Sequence, residues 1–97
     1  MAATPEKKVK DAVTKILKEH NAYYFYPTTG GFGRSGVPDI IACYKGCFIG
    51  IECKAGKNTT TALQDRELDK IDVAGGFAVV INEHNIERVR EILGQIK

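Results

Sequence analysis

Residues 36–54 read Gly36-Val37-Pro38-Asp39-Ile40-Ile41-Ala42-Cys43-Tyr44-Lys45-Gly46-Cys47-Phe48-Ile49-Gly50-Ile51-Glu52-Cys53-Lys54. Two apolar runs flank Lys45-Gly46, the pattern of a hairpin closed by a tight two-residue turn. With those two residues as the loop, Tyr44 pairs with Cys47, and counting rungs toward the open end brings Asp39 opposite Glu52. Cross-strand partners hold their Cβ atoms about 4.5–5.5 Å apart, so two carboxylates there repel and destabilise the sheet. A divalent cation would compensate, because Mg²⁺ is held by one or two carboxylates together with waters and phosphate oxygens. Strand alternation puts Lys54 on the face of Glu52 and turns Cys53 to the other. Two acids and an ammonium thus converge at one end of a hairpin otherwise built largely of Ile, Ala, Cys, Phe and Gly. A β-bulge would part them, leaving Asp39 as a strand start and Glu52 and Lys54 as a surface ion pair.

Upstream, Thr4 and Pro5 supply a helix N-cap and a first-turn proline, and Val9, Ala12, Val13, Ile16 and Leu17 recur at helical spacing up to about His20. Ala22–Thr28 is aromatic-rich and reads as a strand, followed by a glycine-rich loop over Thr29–Gly36. Downstream, Thr61–Ala74 has helical character closed by Gly75-Gly76. Phe77–Ile81 is a short apolar strand of the kind buried inside a sheet, and Ile86, Val89, Ile92, Leu93 and Ile96 mark a last amphipathic helix. The order α-β-β-β-α-β-α predicts an α/β fold with a central mixed sheet flanked by helices, as one domain over residues 1–97.

No run approaches the roughly 18 apolar residues of a membrane span, and the polar N-terminus is unlike a signal peptide, so a cytoplasmic location is expected. Cys43, Cys47 and Cys53 are odd in number and lack zinc-site spacing; they are expected to be buried, reduced thiols. A formal net charge of +2 does not announce a nucleic-acid binder. Distribution says more, since residues 28–60 hold Arg34, Lys45, Lys54 and Lys57 against only Asp39 and Glu52. With those two acids neutralised by a cation, the middle of the chain would present a positive surface to a polyanion.

Gly36-Val37-Pro38-Asp39, thirteen positions ahead of the start of Glu52-Cys53-Lys54, resembles the PD-(D/E)xK nuclease motif. Together with the preceding Gly-Gly-Phe-Gly-Arg-Ser-Gly and with Gln64 on the next helix, it is similar to the virus-type replication-repair nuclease domain, VRR-NUC, over nearly the whole chain. The resemblance implies a restriction-endonuclease-like core and a Mg²⁺- or Mn²⁺-dependent endonuclease acting on DNA, with a leaning toward four-way (Holliday) junctions. It also implies a homodimer of the stand-alone phage type, working in a phage or bacterial host cytoplasm, with room for a replication or repair partner. By position, Asp39, Glu52 and the backbone carbonyl of Cys53 would be metal ligands and Lys54 the catalytic lysine. Glu6 would act on the metal directly or through water, and Gln64 would position the lysine or the attacking water.

Rival readings remain open for several of these. Glu6 ends the inward stripe of the first helix, where it also complements the helix dipole. Gln64 shares a helix face with Leu68 and Ile71, and Thr61-x-x-Gln64 also fits a capping box. Gly31-x-Gly33-x-x-Gly36 matches a dinucleotide fingerprint formally, but it runs into Pro38 and a strand instead of opening a helix. A loop whose backbone amides at Gly33, with Arg34 and Ser35, approach phosphates is the better reading, with Lys57 as a further DNA contact. Tyr23, Tyr24, Phe25 and Tyr26 read as core and sheet-surface residues, and His20 and His84 as capping or surface residues. A non-catalytic or partner-dependent nucleic-acid-binding module on the same fold is the competing function; retention of Asp39, Glu52, Lys54 and Gln64 weighs against it.

Overall fold

A computed structural model describes residues 4–28 and 33–97. The elements are α1 (Pro5–Glu19), β1 (Tyr23–Phe25), β2 (Ile40–Tyr44), β3 (Cys47–Cys53), α2 (Ala62–Val73), β4 (Phe77–Ile81) and α3 (Arg88–Gln95), in the order expected from the sequence. Of the glycine-rich loop, Thr29 to Phe32, Gly31 among them, lie outside the described residues.

Local chemistry sets the boundaries. Thr4 caps α1 by accepting from the Lys7 N–H at 3.1 Å, with Pro5 in the first turn. The β2–β3 turn has Lys45 at φ 50° and Gly46 at φ 82°, the two positive values of a tight type I′ turn. Pairing then runs from Tyr44↔Cys47 to Ile40↔Ile51 without a bulge. β1 is shorter than the Ala22–Thr28 expected, stopping two residues ahead of Pro27, which has no N–H for a ladder.

The sheet order is β1-β2-β3-β4, antiparallel except for the parallel β3–β4 pair, which α2 connects. β4 is therefore an edge strand with four half-buried residues, not the interior strand its apolar sequence suggests. Its shielding comes from the helix layers, with contacts to both α2 and α3. One sheet face carries Ile40, Ala42, Ile49, Ile51, Cys53 and Ile81 into a core closed by Val13 and Leu17 of α1 and Ile92 and Leu93 of α3. Burial of each Ile, Leu or Val there contributes about 1.5–3 kcal/mol. α2 covers part of the opposite face, so close to β3 that a Cβ at Gly50 would lie 2.5 Å from Ile71 Cδ1.

The cysteines depart from expectation. Cys53 is buried in the core, but Cys47 is half-buried and Cys43 is exposed, because alternation along β2 sends Ala42 inward and Cys43 outward. All three are free thiols. No helix among the described residues is long and apolar enough to cross a membrane.

Candidate active site at the open end of the hairpin

The site lies where β2 begins and β3 ends. The ladder stops at Ile40↔Ile51, and the expected Asp39–Glu52 rung is replaced by a side-chain bond in which the Cys53 N–H donates to Asp39 Oδ2 at 2.9 Å. The Asp39 carboxylate thus accepts an N–H that a strand carbonyl would otherwise take, and is fixed at the strand end. Its other oxygen, Oδ1, lies 3.8 Å from Lys10 Nζ. Lys10 was not among the residues singled out from the sequence, although it falls one helical turn after Glu6 on α1. Glu6, Lys10 and Asp39 line one cavity of about 510 Å³. Glu6 is thus on the site's side of α1 and half-buried.

Glu52 is only 2% exposed. One oxygen lies 3.3 Å from Lys54 Nζ, while Oε1 is buried with no hydrogen-bond partner among the described residues. A buried carboxylate oxygen is costly to leave bare, by several kcal/mol when charged. Burial, reinforced by the neighbouring Asp39 charge and opposed by Lys54, pushes the Glu52 carboxyl up to about 7. An orphaned, hard oxygen beside a second carboxylate fits a small divalent cation. Asp39 and Glu52 would hold such an ion, with backbone or water oxygens completing the shell. Among the described residues, no group of three or more His, Cys, Asp and Glu side chains is placed to hold a metal by side chains alone. Burial and the same two acids push the Cys53 thiol up to about 12, so the sulfur stays protonated and inert near neutral pH.

The raised Glu52 carboxyl has a consequence for stability. The unfolded chain gives up this proton near 4.5, the folded chain only near 7, so in that window the folded state binds more protons. Stability is therefore expected to fall by about 2–3 kcal/mol as pH rises through the window. Melting in EDTA at pH 5 and pH 8 checks this, with Glu52→Gln expected to remove most of the slope. A slope unchanged in that variant would assign the pH dependence to other groups.

Gln64 is in the first turn of α2, half-buried, and completes a capping box: its Oε1 accepts from the Thr61 N–H at 2.9 Å while its own N–H donates to Thr61 Oγ1 at 3.2 Å. The capping reading is therefore realised, and the amide nitrogen of the side chain is left for other work. Gly33, Arg34 and Ser35 are exposed, as is Lys57 in the turn after β3. Arg34 Nη2 donates to Glu67 Oε2 at 3.2 Å. Tyr24 packs against the core, whereas Tyr23 and Phe25 are on the outer sheet surface and Tyr26 is exposed beyond the strand. His20 Nδ1 lies 2.9 Å from the Ile16 carbonyl with its ring edge-on to Tyr44, and His84 is exposed.

Gly36, at φ 83°, packs under the first turn of α2; an added Cβ would lie 2.6 Å from the Leu63 carbonyl carbon and oxygen. Gly36→Ala is expected to destabilise the fold by about 2–4 kcal/mol, from overpacking and the left-handed backbone together. Denaturant unfolding measures it, and a loss under 1 kcal/mol would mean that α2 yields easily at this point.

No protein-family model matches the sequence, and no curated protein does. Among solved structures, one described as a VRR_NUC domain superposes with a TM-score of 0.75 at 18% identity, covering 98% of this chain and 100% of that one. The chain thus has the fold of a VRR-NUC domain, a restriction-endonuclease-like α/β architecture with a four-stranded mixed sheet between helices.

Proposed function

We propose that this chain is a metal-dependent DNA nuclease of the VRR-NUC type. The observation that carries the reading is the buried, unpartnered Glu52 Oε1 between Asp39 and Lys54. A fold stabilised for its own sake gains nothing from that arrangement, whereas a cation site requires it. Bound Mg²⁺ or Mn²⁺ supplies Lewis acidity toward a phosphate and makes a nearby water more acidic. The chain's own groups do the rest. Asp39, tied to the Cys53 N–H, and Glu52, locked in β3, fix two carboxylates without side-chain motion. Lys54 neutralises Glu52 and offers an ammonium to the charge that grows on the phosphate as water oxygen bonds to phosphorus and an ester oxygen leaves. Glu6 and Lys10 border the approach from α1, and we assign Gln64, in the first turn of α2, to positioning Lys54 or the attacking water.

As substrate we favour branched DNA, with a four-way junction first, cut by a twofold dimer whose two sites address symmetry-related strands. Cleavage of a synthetic junction beside matched flap, linear duplex and supercoiled plasmid, each with Mg²⁺, Mn²⁺ or EDTA, tests this. Paired cuts in the junction that require metal are the expected result. Metal-dependent cutting of every substrate alike would keep the nuclease and discard junction specificity. Folded, metal-loaded protein that cuts nothing would overturn the reading in favour of a binding module.

A further inference from the structure

Glu67 is the buried residue of α2, at 6% exposure, on a helix whose other residues are half-buried or exposed. An interior carboxylate is unfavourable unless paired. Here Oε2 accepts from Arg34 Nη2 at 3.2 Å and lies 3.8 Å from Lys70 Nζ, yet both cations remain more than half exposed. The acid is thus the fixed partner and the guanidinium the reachable one. A single donor of Arg34 is bonded to Glu67, and an arginine carries five. As a stabilising device the pair is poor, since an apolar residue of similar volume at position 67 would serve as well or better.

A second contact points the same way. Gly36 packs against the backbone of Leu63, one helical turn before Glu67 on the same side of α2. The stretch from Arg34 to Gly36 therefore lies along α2 at two points, and from Gly36 the chain passes through Val37 and Pro38 to Asp39. Arg34, Glu67, Val37 and Pro38 line one groove of about 520 Å³, and Val37 and Pro38 also line the cavity that holds Asp39. An arginine oriented by a buried acid at the rim of a carboxylate site is suited to bidentate capture of a phosphate.

We propose that Glu67 is a positioning residue that holds the Arg34 guanidinium as a ligand for a DNA phosphate flanking the one to be cut. The proposal rests on the nuclease reading for its ligand. It makes a prediction of unusual sign. Removing a negative charge ordinarily strengthens binding to a polyanion, but here Glu67→Gln should weaken it, because Arg34 loses its anchor.

The test is equilibrium binding of a labelled four-way junction in Ca²⁺ over a range of salt, for wild type, Arg34→Ala, Glu67→Gln and the double variant. Each single variant is expected to bind about tenfold more weakly, and the double variant no more weakly than either. The slope of log affinity against log salt should become shallower by about one in all three. A purely structural pair would lower the melting temperature of Glu67→Gln and leave that slope alone. Equal or tighter binding by folded Glu67→Gln, or losses that multiply in the double variant, would overturn the proposal. If Glu67→Gln does not fold, Glu67→Asp keeps the charge, withdraws the carboxylate by one methylene, and must show the same weakening. Wild-type protein that fails to bind DNA also overturns it. Wild type that binds in Ca²⁺ yet never cuts in Mg²⁺ or Mn²⁺ would refute the nuclease reading and leave the Arg34–Glu67 result to stand by itself.

Discussion

Asp39→Asn is expected to melt higher than the wild type in EDTA at pH 8 and to lose more than about a hundredfold in cleavage. The two effects have one cause. The amide oxygen can still accept from the Cys53 N–H, so the strand end keeps its closure. The negative charge that helps push the Glu52 carboxyl up to about 7 is gone, which relieves repulsion across the site. A gain of about 1 kcal/mol in a domain of this size is about 4–8 °C in melting temperature. That same charge is what a cation requires. Thermal melts and Mn²⁺ calorimetry decide the matter together: a variant that melts lower and binds Mn²⁺ as the wild type does would make Asp39 a structural cap and nothing more.

Lys54→Ala is expected to fold and to lose about 10²–10³ in turnover at saturating metal. Folding should survive because the backbone N–H of Lys54 donates to the Ile81 carbonyl at 2.9 Å, a bond that alanine retains. Metal binding should weaken at pH 7 and recover at higher pH, since Lys54 is the group that pulls the Glu52 carboxyl down. Turnover should not recover, because the ammonium itself is missing from the phosphate's surroundings. Turnover within about threefold of wild type once metal is saturating would remove Lys54 from the chemistry. A variant that does not fold would instead make the Lys54–Glu52 pair a structural one.

What was legible in the sequence is what is local. Thr4-Pro5 and the apolar spacing of α1 dictate that helix, and Lys45-Gly46 supplies the two positive φ values that set the hairpin register. Counting from the turn therefore brings Asp39 and Glu52 to the same strand end, although the rung expected between them is not formed and a side chain takes the place of the backbone there. The long-range facts were not legible. The apolar sequence of Phe77–Ile81 carries no sign of being the sheet edge, because strand order depends on which way α2 crosses. Lys10 meets Asp39, and Arg34 meets Glu67, only through packing of helices on opposite faces of the sheet. The exposure of Cys43 follows from alternation, and reading its neighbours Ala42 and Tyr44 as inward would have revealed it.

β3 is worked from both sides: Ile49, Ile51 and Cys53 build the core, and Glu52, interleaved with them, builds the site with Lys54 just past the strand's end. Substitution can alter either row independently, but a change of length within the strand cannot. One residue inserted between Cys47 and Glu52 would exchange the rows, sending an acid and an ammonium into the hydrocarbon interior and a thiol toward the phosphate. Among variants and relatives of this protein, gaps should therefore fall in the connections and never inside β3, and a random-insertion library should leave this strand blank even when selected for folding alone.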